Sequence, residues 1–124
     1  MPKVKGKAEL RRLLHDSRDE PWSELERTAH QLLRKAGLKR WKTNHPMVLR
    51  GRTIYVDITF PGAKIAIELD GWKYHSGRTA FEEDRERQNI LVLEGWTVLR
   101  FTHQTIDALP EMVLELLRKR GSSN

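Results

Sequence analysis

Three acidic residues fall close together in the middle of this 124-residue chain, Asp57, Glu68 and Asp70, with His75 five residues beyond the last of them. Their surroundings read as a β-hairpin. In Thr53 to Phe60 the even positions Ile54, Val56, Ile58 and Phe60 are apolar, while Tyr55, Asp57 and Thr59 take the other face. After the turn Pro61-Gly62-Ala63, the odd positions Ile65, Ile67 and Leu69 are apolar, which leaves Ala66, Glu68 and Asp70 opposite them. A short turn centred near Pro61-Gly62 sets Asp57 across from Ala66 or Glu68, and either register groups the three acids on one face. Carboxylates placed in this way repel one another by about a few tenths of a kcal/mol unless a cation lies between them. Hard oxygen donors of this kind suit Mg²⁺ or Mn²⁺. The same alternation also describes the solvated face of a half-exposed sheet, but helices before and after the hairpin predict cover on both sides.

A histidine that leaves such a strand end is able to take a proton from water, because its reference pKa lies near neutrality. A loop hydrogen bond is the plainer use of His75. Further on, Asp84 is suited to orienting His75 or sharing the metal, and Arg87 to clamping a phosphate; both also lie in a charged run where i,i+4 pairing accounts for them.

The elements that position these residues are legible from periodicity. Leu25, Ala29, Leu32, Leu33 and Ala36 recur at helical spacing between Ser23 and Gly37, and the glycine supplies a stop. Ser23-Glu24-Leu25-Glu26 fits a capping box at its start. Met47 to Arg50 adds a strand before the hairpin. Beyond the loop Gly71 to Gly77, Arg78 to Glu94 predicts a helix ended by Gly95, Trp96 to Phe101 a strand with Trp96 in the core, and Pro110 to Arg120 a last helix. The order α, β, β, β, α, β, α predicts a mixed sheet covered by helices. Residues 1–21 form a basic segment in which Leu10, Leu13 and Leu14 fit a short amphipathic helix. One domain is expected over 22–120 and a disordered tail over 121–124.

Composition narrows the function classes. Hydrophobic residues are 38% and charged residues 32%, enough for one folded domain. The absence of cysteine removes disulfides, zinc–thiolate sites and thiol nucleophiles together. No apolar stretch approaches the length of a membrane span, so a cytoplasmic protein is expected. The net charge of +6 is unevenly laid out: residues 1–52 hold 14 Lys/Arg against 6 Asp/Glu, and residues 53–100 hold 6 against 8. A basic half beside an acidic centre pairs a polyanion-attracting surface with an oxygen-ligand site.

Taken in order, Tyr55-Val-Asp57-Ile-Thr-Phe, Ile65-Ala-Ile-Glu68-Leu-Asp70-Gly71-Trp-Lys-Tyr-His75, Asp84-Arg-Glu-Arg87-Gln-Asn-Ile-Leu91 and Gly95-Trp-Thr-Val-Leu-Arg-Phe101 resemble the Vsr-like endonuclease domain of the PD-(D/E)xK, restriction-endonuclease-like superfamily. The resemblance runs from residue 23 to about 117. It implies an α/β restriction-endonuclease-like fold and a DNA endonuclease using Mg²⁺ or Mn²⁺. Asp57 would be the principal metal ligand, with Glu68, Asp70 or the Leu69 carbonyl completing the site, His75 the general base, and Glu26 an acid beside the metal. Arg50, Arg52, Lys73 and Arg78 would hold the DNA backbone, and Trp72 and Tyr74 would wedge between bases or pack in the loop. A homodimer or an additional DNA-binding domain would supply recognition. Two departures stand out. The superfamily's usual lysine after the second acid is Asp70 here, and no cysteine is present for the zinc site of the mismatch-repair members. A non-catalytic nucleic-acid-binding module, or a toxin-like or regulatory interaction protein on the same fold, is the alternative.

Overall fold

The computed structural model describes residues 21–71 and 78–121. The short helix expected around Leu10, Leu13 and Leu14, the residues Trp72, Lys73, Tyr74 and His75, and the tail from 122 lie outside them. Helix α1 spans Pro21–Lys35, β1 Lys42–Leu49, β2 Arg52–Phe60, β3 Ile65–Leu69, α2 Arg78–Leu93, β4 Thr97–Phe101 and α3 Leu109–Lys119. The element order is the expected one.

Leu25, Ala29 and Leu33, each four residues apart, form the buried stripe of α1. The helix ends at Gly37, which has φ +78: Leu38 N–H donates to the Leu33 carbonyl at 3.0 Å and Gly37 N–H to that of Arg34 at 2.9 Å. This is a Schellman ending, and its two leucines meet in the core. At the other end the helix opens on Pro21, where a missing N–H costs nothing. Ser23 therefore lies inside the first turn instead of capping it, and Ala36, past the last helical residue, is exposed.

Four strands form one sheet in the order β1-β2-β3-β4, antiparallel except for the parallel pair β3 and β4. Strand β1 is five residues longer at its start than periodicity suggested. It is an edge strand whose exposed Lys42, Thr43, His45 and Pro46 hide the alternation, and the edge tolerates its proline. Arg50 and Gly51, at φ +53 and +75, make a two-residue turn into β2.

The two sheet faces carry separate cores. Ile58, Phe60, Ile65, Ile67, Leu69 and Phe101 pack with the buried stripes of α1 and of α3, the latter Leu109, Val113 and Leu117. On the other face Ile54, Val56, Ala66 and Trp96 pack with Leu91 of α2. The four apolar even positions of β2 thus do not share one face. Pairing with β1 joins Thr43 to Ile58 and His45 to Val56 but skips Asn44 and Asp57, and Asn44 sits at φ +48. The backbone irregularity coincides with the change of face. It falls at Asp57, whose carboxylate accepts a backbone N–H.

His30 on α1 lies against Trp41, ring centres 5.0 Å apart, and its Nε2 is buried with no hydrogen-bond partner among the described residues. Burial first, and the nearby charge of Arg34 second, hold its pKa below the usual histidine value. Glu26 Oε2, 4.0 Å away, is too distant to hydrogen-bond and does not reverse this. A histidine with a depressed folded-state pKa contributes its full stability above the unfolded value of 6.5 and loses it as pH falls below. Thermal unfolding of the parent and of His30→Leu across the acid range should therefore diverge below that pH, with the parent losing more; parallel curves would contradict the buried neutral imidazole.

Candidate active site at the end of the central hairpin

The pairing of Ile58 with Ile67 fixes the hairpin register, and one step beyond it Asp57 stands level with Glu68. Regular pairing stops there. The N–H of Leu69 donates instead to Asp57 Oδ2 at 2.7 Å, so the carboxylate substitutes for a ladder carbonyl. Asp57 and Glu68 are each only 4% exposed, which makes them buried acids instead of a solvated face. Such burial requires partners.

Helix α2 provides them. Arg87 Nη1 donates to Glu68 Oε2 at 2.5 Å and to the Tyr55 carbonyl at 3.3 Å, and Nη2 donates to Asp84 Oδ1 at 2.7 Å. Burial pulls the Arg87 pKa down, but the charge and hydrogen bond of Glu68, with those of Asp84, outweigh it and raise the net value, so the guanidinium is a permanent cation. A second arginine completes the network. Arg100 Nε donates to Asp70 Oδ2 at 3.1 Å, Nη1 to Gln88 Oε1 at 2.7 Å and Nη2 to Asp84 Oδ2 at 3.3 Å. Its pKa is likewise raised: burial opposes, and Asp70, Asp84 and Glu68 prevail.

The structure thus brings together Asp57, Glu68, Asp70, Asp84 and Arg87 of the residues singled out by sequence. Glu26 lies on α1 beside His30. Arg50 and Arg52 are turned toward acids of α2 and the turn just after it, with Arg50 Nε 2.7 Å from Glu94 Oε2 and Arg52 Nη1 3.3 Å from Glu86 Oε1. Arg78 opens α2, and its side chain, like Trp72, Lys73, Tyr74 and His75, is outside the described residues. Sequence reasoning missed Arg100 and Gln88. The signal for Arg100 was its register: β4 runs parallel to β3 and pairs Arg100 with Glu68, on the face that Val98 also takes.

The donor set fits a hard divalent ion. Two carboxylates on neighbouring strands and the Leu69 carbonyl are oxygen donors, and an ion such as Mg²⁺ keeps several waters in addition to one or two carboxylates. Among the described residues no three His, Asp or Glu side chains gather as a metal cluster.

The family model REase_MTES_1575 matches residues 25–120. The chain belongs to this restriction-endonuclease-like family. All of the acid–arginine network lies within the matched span. The fold is shared with a solved structure: the catalytic domain of the homing endonuclease I-Bth0305I superposes with a TM-score of 0.57 at 22% identity, over 77% of this chain and 94% of that one. YcjD of Escherichia coli (strain K12), an uncharacterized protein, is 33% identical over 76 residues, 61% of this chain and 59% of its own length. No helix among the described residues is long and apolar enough to cross a membrane.

Removing Arg87 strands Glu68 as an uncompensated buried charge. Arg87→Met should cost about 3–5 kcal/mol in urea unfolding, and adding Glu68→Gln should restore much of it. A single variant as stable as the parent would contradict the pairing.

Proposed function

We propose that the protein is a DNA endonuclease that uses a divalent metal, Mg²⁺ or Mn²⁺, at the Asp57–Glu68 end of the hairpin. The observation that carries this reading is the pair of buried carboxylates on adjacent strands of a restriction-endonuclease-like sheet, one bound to a backbone N–H and the other to an arginine. Ordinary folding gains nothing from such a pair.

Asp57, Glu68 and the Leu69 carbonyl are the residues that would hold the ion. When bound, a divalent ion polarises a phosphodiester and makes a nearby water more acidic. The chain's own groups supply the rest. The Leu69 N–H fixes the Asp57 carboxylate, and Arg87 gives the buried Glu68 carboxylate a charged hydrogen-bond partner. Arg100 holds Asp70 and Asp84 in one network, so the strand end and α2 stay in fixed relation. His75, five residues after Asp70, takes the proton of the attacking water. Glu26 assists from α1, Lys73 and Arg78 hold the backbone on either side, and Trp72 and Tyr74 contact bases. Arg50 and Arg52 serve the same phosphates only by exchanging Glu94 and Glu86 for them. Recognition then calls for a homodimer or an additional DNA-binding domain, because a domain of this size offers little surface for reading bases.

Supercoiled plasmid should be nicked or cut in Mg²⁺ or Mn²⁺ and left intact in EDTA. Asp57→Asn should slow cleavage by more than the roughly 100-fold that losing an outer partner of a metal site costs. An intact plasmid under every metal condition, with DNA still bound, would support a non-catalytic nucleic-acid-binding module on this fold.

A further inference from the structure

Between Glu26 and Asp57 the chain contains eight Lys or Arg residues and no acid. Arg27, Arg50 and Arg52 have partners. The other five, Arg34, Lys35, Lys39, Arg40 and Lys42, fall within nine consecutive residues, and all are exposed. None of the five forms an ion pair with another described residue, although acids elsewhere on the surface pair freely, as Glu115 does with Lys119. We propose that this segment, from the end of α1 into β1, is a phosphate-binding surface that lays a duplex DNA backbone beside the acid pair. The proposal rests on the nuclease reading above and names where its substrate lies.

Three features support it. The segment is built rigidly. Leu38 is 2% exposed and closes the Schellman ending of α1, while the Trp41 indole N–H donates to the Leu38 carbonyl at 3.2 Å and its ring rests on His30. Cations on a fixed backbone lose less freedom when they meet a ligand than cations on a loose one. Second, the backbone accepts cost here: Arg40 at φ +65 and Asn44 at φ +48 are non-glycine residues in the left-handed region, a conformation that persists where the surroundings impose it.

The third feature is position. Lys42 pairs with Thr59, which pairs with Ala66 of the α2-side core, so Lys42 takes the sheet face that carries the acids. Asn44, two residues on, lies across from Asp57 in the interrupted ladder. With strand geometry of about 3.3 Å per residue and 4.8 Å between strands, Lys42 and Asp57 are roughly 8 Å apart along the backbone. A short run of phosphates on one DNA strand spans that distance. A strand tracking the patch therefore passes the acid pair. Arg50 and Arg52, occupied by Glu94 and Glu86, are the poorer candidates for this contact.

The test is duplex binding in EDTA, followed by fluorescence anisotropy across a salt series, with the full chain and two variants. Each phosphate contact contributes about 0.9 to the slope of log affinity against log salt. In Lys35→Gln/Lys39→Gln/Arg40→Gln/Lys42→Gln the slope should lose about 3.6, and affinity at low salt should fall at least tenfold. Arg50→Gln/Arg52→Gln should lose less than half as much. Surface changes of this kind should leave the unfolding midpoint and Mn²⁺ binding as in the parent; if the quadruple variant is unstable, Lys39→Gln/Lys42→Gln should still lose about 2 from the slope. An unchanged slope in these variants overturns the proposal, as does polyglutamate competing as well as DNA at equal charge, which would mark a site for acidic protein. The two readings fail separately. Plasmid cleavage by the parent with no effect of the patch variants removes only the surface, whereas salt-steep, patch-dependent binding with no cleavage removes only the nuclease.

Discussion

Arg87 carries acceptors from three places at once, the Glu68 carboxylate of β3, the Tyr55 carbonyl of β2 and Asp84 of its own helix, and the burial of Glu68 depends on it. Two carboxylates level with each other on adjacent strands would repel and stay wet unless something cationic or hydrogen-bonding met each. Asp57 takes a backbone N–H and Glu68 takes a guanidinium. The neighbouring elements follow from that solution. Of the residues in α2 whose side chains are described, only Leu91 is fully buried, and Val92 and Leu93 stay exposed. The middle of the helix docks through Asp84, Arg87 and Gln88 instead, by charge in place of apolar area. Apolar replacement of a buried ion-pair network is often neutral or stabilising, so stability alone is a weak account of this one.

The same region shows how backbone and chemistry are joined. The β1–β2 ladder skips Asn44 and Asp57, and the β2–β3 ladder ends one residue before the acids. Where regular pairing lapses, backbone groups become available to side chains, which is how Leu69 N–H comes to hold Asp57. The core divides at this point as well, β2 contributing Ile54 and Val56 to one face and Ile58 and Phe60 to the other.

Much of the architecture was legible in the residues. Period-two alternation identified β2 and β3, Gly37 and Gly95 marked helix ends through their left-handed conformations, and the hairpin set Asp57 across from Ala66 or Glu68, of which the register of the structure selects Glu68. Other features lay beyond single-chain periodicity. Strand β1 carries an exposed edge whose polar residues do not alternate clearly, so only its end, Met47 to Leu49, stood out. The switch of faces at Asp57 comes from a local ladder defect that apolar spacing does not encode. Arg100 was passed over because its meaning depends on β4 lying parallel beside β3, a long-range pairing. Arg50 and Arg52 read as free cations until α2 and the turn after it brought Glu86 and Glu94 to them.

The proposed metal site is the acid pair, held by hydrogen bonds and an ion pair, with the proposed phosphate-binding edge beside it. Calorimetric titration of Mn²⁺ into the parent and into Asp57→Ala tests that claim most directly. Saturable binding by the parent that is lost in the variant, while both remain folded, is the predicted result. Equal binding by the two proteins, or none by either in the presence of duplex DNA, would contradict it.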